Sequence, residues 1–94
     1  MLRGYLHEIW FCPDGSGNLL PACLPFGPDG DAARALNEPG SRCVYIFWAN
    51  SHYEAMCIFY AFVDYGNYST EFSADFEHYP HEWLQAQSEY INAL

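Results

Sequence analysis

From Arg42 to Ala49 the chain reads Arg-Cys-Val-Tyr-Ile-Phe-Trp-Ala, a nearly unbroken apolar run rich in β-branched and aromatic types. Such a run predicts a strand buried on both faces. Ser51 follows, with Glu54 three positions on, the spacing of a capping box that opens a helix. Every residue from Ala55 to Val63 is apolar or aromatic, so a helix is predicted over residues 51–64, closed by Gly66 or Asn67 as C-cap.

The first part of the chain has a different period. From Gly4 to Cys12, Tyr5, His7, Ile9 and Phe11 alternate with Leu6, Glu8, Trp10 and Cys12, which predicts a strand with the His7 side facing inward. Pro13 to Asn18 is dense in turn formers, and Leu19 to Leu24 can return as a second strand, giving an N-terminal hairpin. Pro21 removes a ladder donor, so that strand is expected to be an edge strand or a ragged one. A short helix is predicted over residues 32–36, capped by Asp29 or Asp31 and stopped by Pro39 and Gly40.

After the long helix, Tyr68, Thr70 and Phe72 alternate with Ser69 and Glu71, as in a short half-exposed strand. Strand, helix and strand over about thirty residues is the length of a βαβ crossover, which favours right-handed parallel pairing. Pro80 suits the first position of a last helix, with Glu82 in its first turn and Trp83, Leu84, Gln87, Tyr90 and Ile91 forming a partial apolar stripe. The expected fold is a single α+β domain over residues 1–94. It has a three- to four-stranded mixed sheet, an N-terminal hairpin, one central βα(β) unit and helices mainly on one face.

Composition narrows the classes of function. The formal net charge is −9, with 12 acidic side chains, three Arg and no Lys. Seven of the acids and none of the bases lie from Ser51 onward. Nucleic acid and anionic lipid both need cationic residues for binding, so neither is expected as a partner, whereas a basic protein is compatible. No apolar run reaches the length of a membrane span, and the N-terminal residues lack the pattern of an export signal, so a cytoplasmic location is expected. Cys43 and Cys57 lie in apolar stretches and read as small core residues with reduced thiols.

The chain is 51% hydrophobic and 19% aromatic, apolar-rich for one small domain. In the central helix, Met56, Phe59, Tyr60 and Val63 form one helical stripe, and Ala55, Ile58 and Phe62 another. A helix apolar nearly all round is sandwiched or interfacial, which makes Met56, Phe59, Tyr60 and Val63 interface candidates and a homodimer the expected state.

Candidate chemistry centres on His52, Tyr53 and Glu54, in the first helical turn after the buried strand. Ligand crevices form at that place in parallel sheets, with His52 and Glu54 as candidate catalytic groups and His7, Trp48 and Tyr53 as candidate ligand contacts. The plainer reading is that all three first-turn residues cap and cover the helix end. His78 and His81 are three apart and could share a metal only on one helix face, which the intervening Pro80 opposes. No nucleophile elbow, phosphate loop or dinucleotide fingerprint occurs, and no cofactor is implied. Two function classes follow. One is a small acidic non-catalytic interaction domain of immunity, antidote or inhibitor type that binds a basic partner; the other is a small-molecule-binding domain or small enzyme with a pocket over His52 and Glu54.

Overall fold

The computed structural model describes residues 4–94; Arg3, one of the three cations counted above, lies outside the described residues. The chain folds as α+β. Strand β1 (Tyr5–Pro13) and strand β2 (Leu19–Pro25) form the hairpin, and a 3₁₀ turn (Pro28–Gly30) leads into the short helix α1 (Asp31–Ala35). Strand β3 (Arg42–Ala49) feeds helix α2 (His52–Val63); a second 3₁₀ turn (Ser73–Phe76) precedes helix α3 (His81–Asn92). No helix among the described residues is long and apolar enough to cross a membrane.

The sheet order is β2-β1-β3, with both pairings antiparallel. The mixed sheet expected from the βαβ spacing is therefore corrected. Residues 68–72, expected as the strand that would complete the crossover, form none. There Thr70 turns inward on its own segment: its hydroxyl accepts the Phe72 N–H at 3.2 Å and donates to Asp75 at 2.7 Å. A side chain that takes a backbone donor competes directly with a sheet ladder. The one further pairing is an isolated bridge between Ser51 and His78, beyond the end of β3.

β1, not β3, is the central strand. Its register places Tyr5, His7 and Ile9 on one face beside Phe47 and Ala49, with Leu6 and Glu8 on the other beside Trp48 and Ile46. Helices α2 and α3 cover the first face, where Ile9, Phe47, Ala49, Ala55 and Phe59 make the core. Phe62 stacks on Tyr45 with ring centroids 4.9 Å apart. The other face carries only the short α1, whose Arg34 donates to Glu8 at 2.5 Å and to the carbonyl of Pro25 at 3.0 Å. The double burial predicted for β3 is thus corrected: Ile46 is 53% exposed and Trp48 38%. An edge strand with a nearly bare outer face stays half wet however apolar its sequence. Cys43, expected in the core, is exposed for the same reason.

Local chemistry explains the ends of α2. Ser51 Oγ accepts the Glu54 N–H at 3.1 Å, and Glu54 Oε1 accepts the Asn50 N–H at 3.0 Å. At the other end Asp64 takes the left-handed conformation (φ 60°), two residues before the glycine expected to do so. Tyr65 N–H then reaches the Tyr60 carbonyl at 2.9 Å, and the two rings pack edge to face at 5.6 Å. That bond and its hydrophobic contact make a Schellman closure, stable enough to hold aspartate at positive φ.

Helix α3 is fastened by one side chain. Gln87 is 5% exposed; its Oε1 accepts the Leu6 N–H at 2.7 Å, and its Nε2 donates to the carbonyls of Leu6 and Phe26, both at 3.0 Å. The amide completes β1 just where β2 ends, at the place of a missing strand residue. Gln87→Leu keeps the volume but leaves a buried Leu6 N–H without a partner, so unfolding stability should fall by about 2–3 kcal/mol. A urea titration reads this as a lower midpoint at unchanged slope. A midpoint equal to that of the parent chain would show that the clasp is energetically idle.

Candidate functional site

The covered face of the sheet is not wholly filled. Between it and the two long helices lies a cleft of about 620 Å³. Its floor is β1 and β2, through Tyr5, His7, Cys23 and Pro25; Met56 and His52 of α2 bound one side, and Trp83 and Ala86 of α3 the other. Asp29 from the first 3₁₀ turn and Glu82 from the first turn of α3 stand at its margin, and Tyr79 closes one end.

Each lining group has a local reason for its place. Tyr5 and His7 are two apart on β1, so both point into the covered face. Tyr79 is set by its own N–H, which donates to the Asn50 carbonyl at 2.9 Å and swings the ring over His7. Asp29 is brought in by a close turn at Gly30. There a Cβ would stand 2.3 Å from the Pro25 carbonyl oxygen, so no larger residue lets the segment pass. The Tyr5 hydroxyl donates to Asp29, pinning the carboxylate against the ring.

His7 is the most constrained group. It is 5% exposed, and its ring stacks on Phe47 at 5.0 Å with an interplanar angle of 7°. Nδ1 lies 2.8 Å from the Tyr5 carbonyl oxygen. A carbonyl only accepts, so Nδ1 carries the proton and Nε2 accepts from the Tyr79 hydroxyl, also at 2.8 Å. Burial lowers the His7 pKa from 6.5 to about 4; the bond to the Tyr5 carbonyl opposes this in part, and nearby His52 adds to it. Burial pushes the Cys23 thiol up to about 12. The hydroxyls of Tyr5 and Tyr79 are also raised, chiefly by burial, with Asp29 contributing for Tyr5 and the neighbouring Cys23 and Glu54 for Tyr79.

At neutral pH the floor of the cleft is therefore polar but uncharged. Nucleophile, base and orienting group do stand in a row, from Tyr79 through His7 to the Tyr5 carbonyl. Every shift, however, runs against catalysis: the base is weak and the hydroxyl reluctant to ionise.

The sequence-predicted residues divide sharply. His7 and His52 are brought together at this cleft, His7 in the floor and His52 exposed at the rim. Glu54 is absorbed by the capping box. Trp48 lies on the opposite sheet face, since it pairs with Leu6 and not with a cleft residue. Tyr53 packs between Tyr68 and Phe76, at 6.0 and 4.5 Å, away from the cleft. Of the interface candidates, Phe59 is buried in the core and Met56, Tyr60 and Val63, partly buried, pack against it, so much of this stripe is used within the chain. His78 lines a shallower neighbouring cavity of about 310 Å³ together with His52, whereas His81 lines neither cavity. No group of three or more His, Cys, Asp or Glu placed to hold a metal ion occurs among the described residues.

Tyr5, Asp29, Tyr79, Glu82 and Trp83 were not singled out from the sequence as site residues. The usable signals were Tyr5 sharing the inward face with His7, and Tyr79 and Trp83 flanking Pro80 one helical turn apart. Nothing in the linear pattern joined the two ends of the chain. Compared with known proteins, the chain matches no family model, no curated protein and no solved structure.

The buried histidine makes stability depend on acid. In the folded chain His7 stays neutral down to about pH 4, while in the unfolded chain it takes a proton near 6.5. Stability should be full above pH 6.5, fall through the window from 6.5 to 4, and stop falling on this account below 4. The loss is on the order of 3 kcal/mol. Chemical denaturation of His7→Gln across this window should lack that component of the slope; an identical slope would remove His7 as its source.

Proposed function

We propose that the chain is a non-catalytic binding domain whose cleft, between the sheet and helices α2 and α3, takes a small ligand. The observation that carries this reading is the cleft itself. Its volume of about 620 Å³ lies within the range of small-molecule sites, and its walls are mostly aromatic and aliphatic with a few oriented polar groups. The neutral state of His7, Tyr79 and Cys23 favours binding over turnover. The test is an NMR fragment screen that follows the His7 ring and the Trp83 indole. Bound fragments should shift both, and Ala86→Trp, a substitution at an exposed helix position that projects into the cleft, should abolish the shifts without unfolding the chain. Fragments that bind elsewhere, or that ignore Ala86→Trp, would sink the proposal.

A second reading, association with another copy of this chain, is supported by the bare sheet face. Ile46, Trp48 and Leu20 are exposed there, and β3 is an edge strand without proline, unlike β2 with Pro21 and Pro25. Pairing of β3 with its symmetry mate would continue the sheet across a two-fold axis. Two chains of net charge −9 repel, so such a dimer should tighten as salt rises, whereas capture of a basic protein would weaken. Sedimentation at micromolar concentration should show a dimer that Ile46→Lys dissociates; a monomer at every salt concentration overturns it.

A further inference from the structure

We propose that the ligand of this cleft is a small organic cation of the alkylammonium class; this rests on the binding reading above. Tyr79 and Trp83, at the start of α3, form an aromatic wall that the almost wholly buried Tyr5 of β1 backs. Tyr5 stands 4.9 Å from Tyr79 and 6.0 Å from Trp83 between ring centroids, and Tyr79 stacks on Trp83 at 6.1 Å. Aromatic faces attract a cation through the ring quadrupole, and tryptophan and tyrosine do so best. The charged groups of the lining are carboxylates: Asp29, pinned to the wall by the Tyr5 hydroxyl, and Glu82 on the turn of α3 that also presents Trp83.

The cations of the described chain are committed elsewhere. Arg34 is held by Glu8, Asp31 and the carbonyls of Pro25 and Gly27, and Arg42 stands at the far end of the sheet, where its backbone pairs with Phe11, outside the lining of the cleft. An anionic ligand would therefore meet carboxylates and no counter-charge among the lining residues. A neutral ligand would find the apolar wall but leave the charges unused. The net charge of −9 acts in the same direction, since a cleft with low-dielectric walls focuses the field of the whole surface and concentrates cations.

Three probes of nearly equal shape separate the cases: choline, its uncharged isostere 3,3-dimethyl-1-butanol, and the anion 3,3-dimethylbutanoate. Titrations that follow the Trp83 indole by NMR should rank choline at least tenfold tighter than the alcohol, with the anion weakest. The pair Asp29→Asn and Glu82→Gln, which keeps hydrogen-bonding capacity, should remove the preference for choline and leave the alcohol unchanged. Trp83→Leu, followed instead through the His7 ring, should weaken choline more than the alcohol. Equal affinities of choline and alcohol, or tighter binding of the anion, would overturn the cation class while leaving a ligand cleft in place. Silence of all three probes in a cleft that still binds other, Ala86→Trp-sensitive fragments overturns the cation class too. Silence of probes and fragments together overturns the cleft as a binding site.

Discussion

The clasp between Gln87 and Leu6 is the contact on which the rest depends. A three-stranded sheet with one covered face has two long helices to hold, and the nine-residue β1 outruns the seven-residue β2 at its N-terminal end. There an ordinary sheet would leave the Leu6 N–H without a partner beneath a helix. A buried donor without a partner costs more than most contacts contribute, so the end of β1 has to be paired. One carboxamide does so and at the same time ties α3 down. Trp83 and Glu82, about one turn earlier on the same helix, are placed by that fastening.

The cleft is a consequence of how the two helices are anchored. Helix α2 follows β3 directly, with only Asn50 and Ser51 between, and packs Ala55 and Phe59 onto the core. Helix α3 arrives from the end of the chain and is fixed through Gln87 at the other side of β1. Two helices held at separate points on one face do not close the whole of it. Over the gap the sheet presents Tyr5 and His7, whose polar atoms are satisfied by the Tyr5 carbonyl, Tyr79 and Asp29. Hydrogen bonding lets the polar floor stay buried, and burial keeps it neutral. The same balance that makes the site stable makes it poor at proton transfer.

The two faces of the sheet have opposite problems. The covered face has polar groups beneath helices and answers with directed hydrogen bonds. The open face has Ile46, Trp48 and Leu20 in water, relieved only by the Arg34–Glu8 pair, with the Trp10 indole donating to the same carboxylate at 3.1 Å. The strong negative charge then has a plain physical use, because repulsion between copies limits unspecific adhesion of such a face.

Much of the local structure was legible in the residues. The hairpin followed from alternation on either side of a turn rich in glycine, proline and aspartate. The bounds of β3 followed from its apolar run, the start of α2 from Ser51 and Glu54, and the edge position of β2 from Pro21. These are short-range matters, decided by steric preference and by hydrogen bonds within a few residues. What lay beyond them was long-range. The apolar richness of β3 did not reveal that it would lie at an edge, because centrality depends on which strands find each other. Alternation over residues 68–72 was outweighed by the Thr70 hydroxyl. His7 could be assigned to an inward face, yet its partner Tyr79 is 72 positions away, and Gln87 reaches Leu6 over 81. The sequence by itself determined the hairpin, the bounds of β3, the start of α2 and the inward face of β1. Only the tertiary structure decided which faces meet, and therefore that a histidine, three aromatic rings and two carboxylates share one cleft.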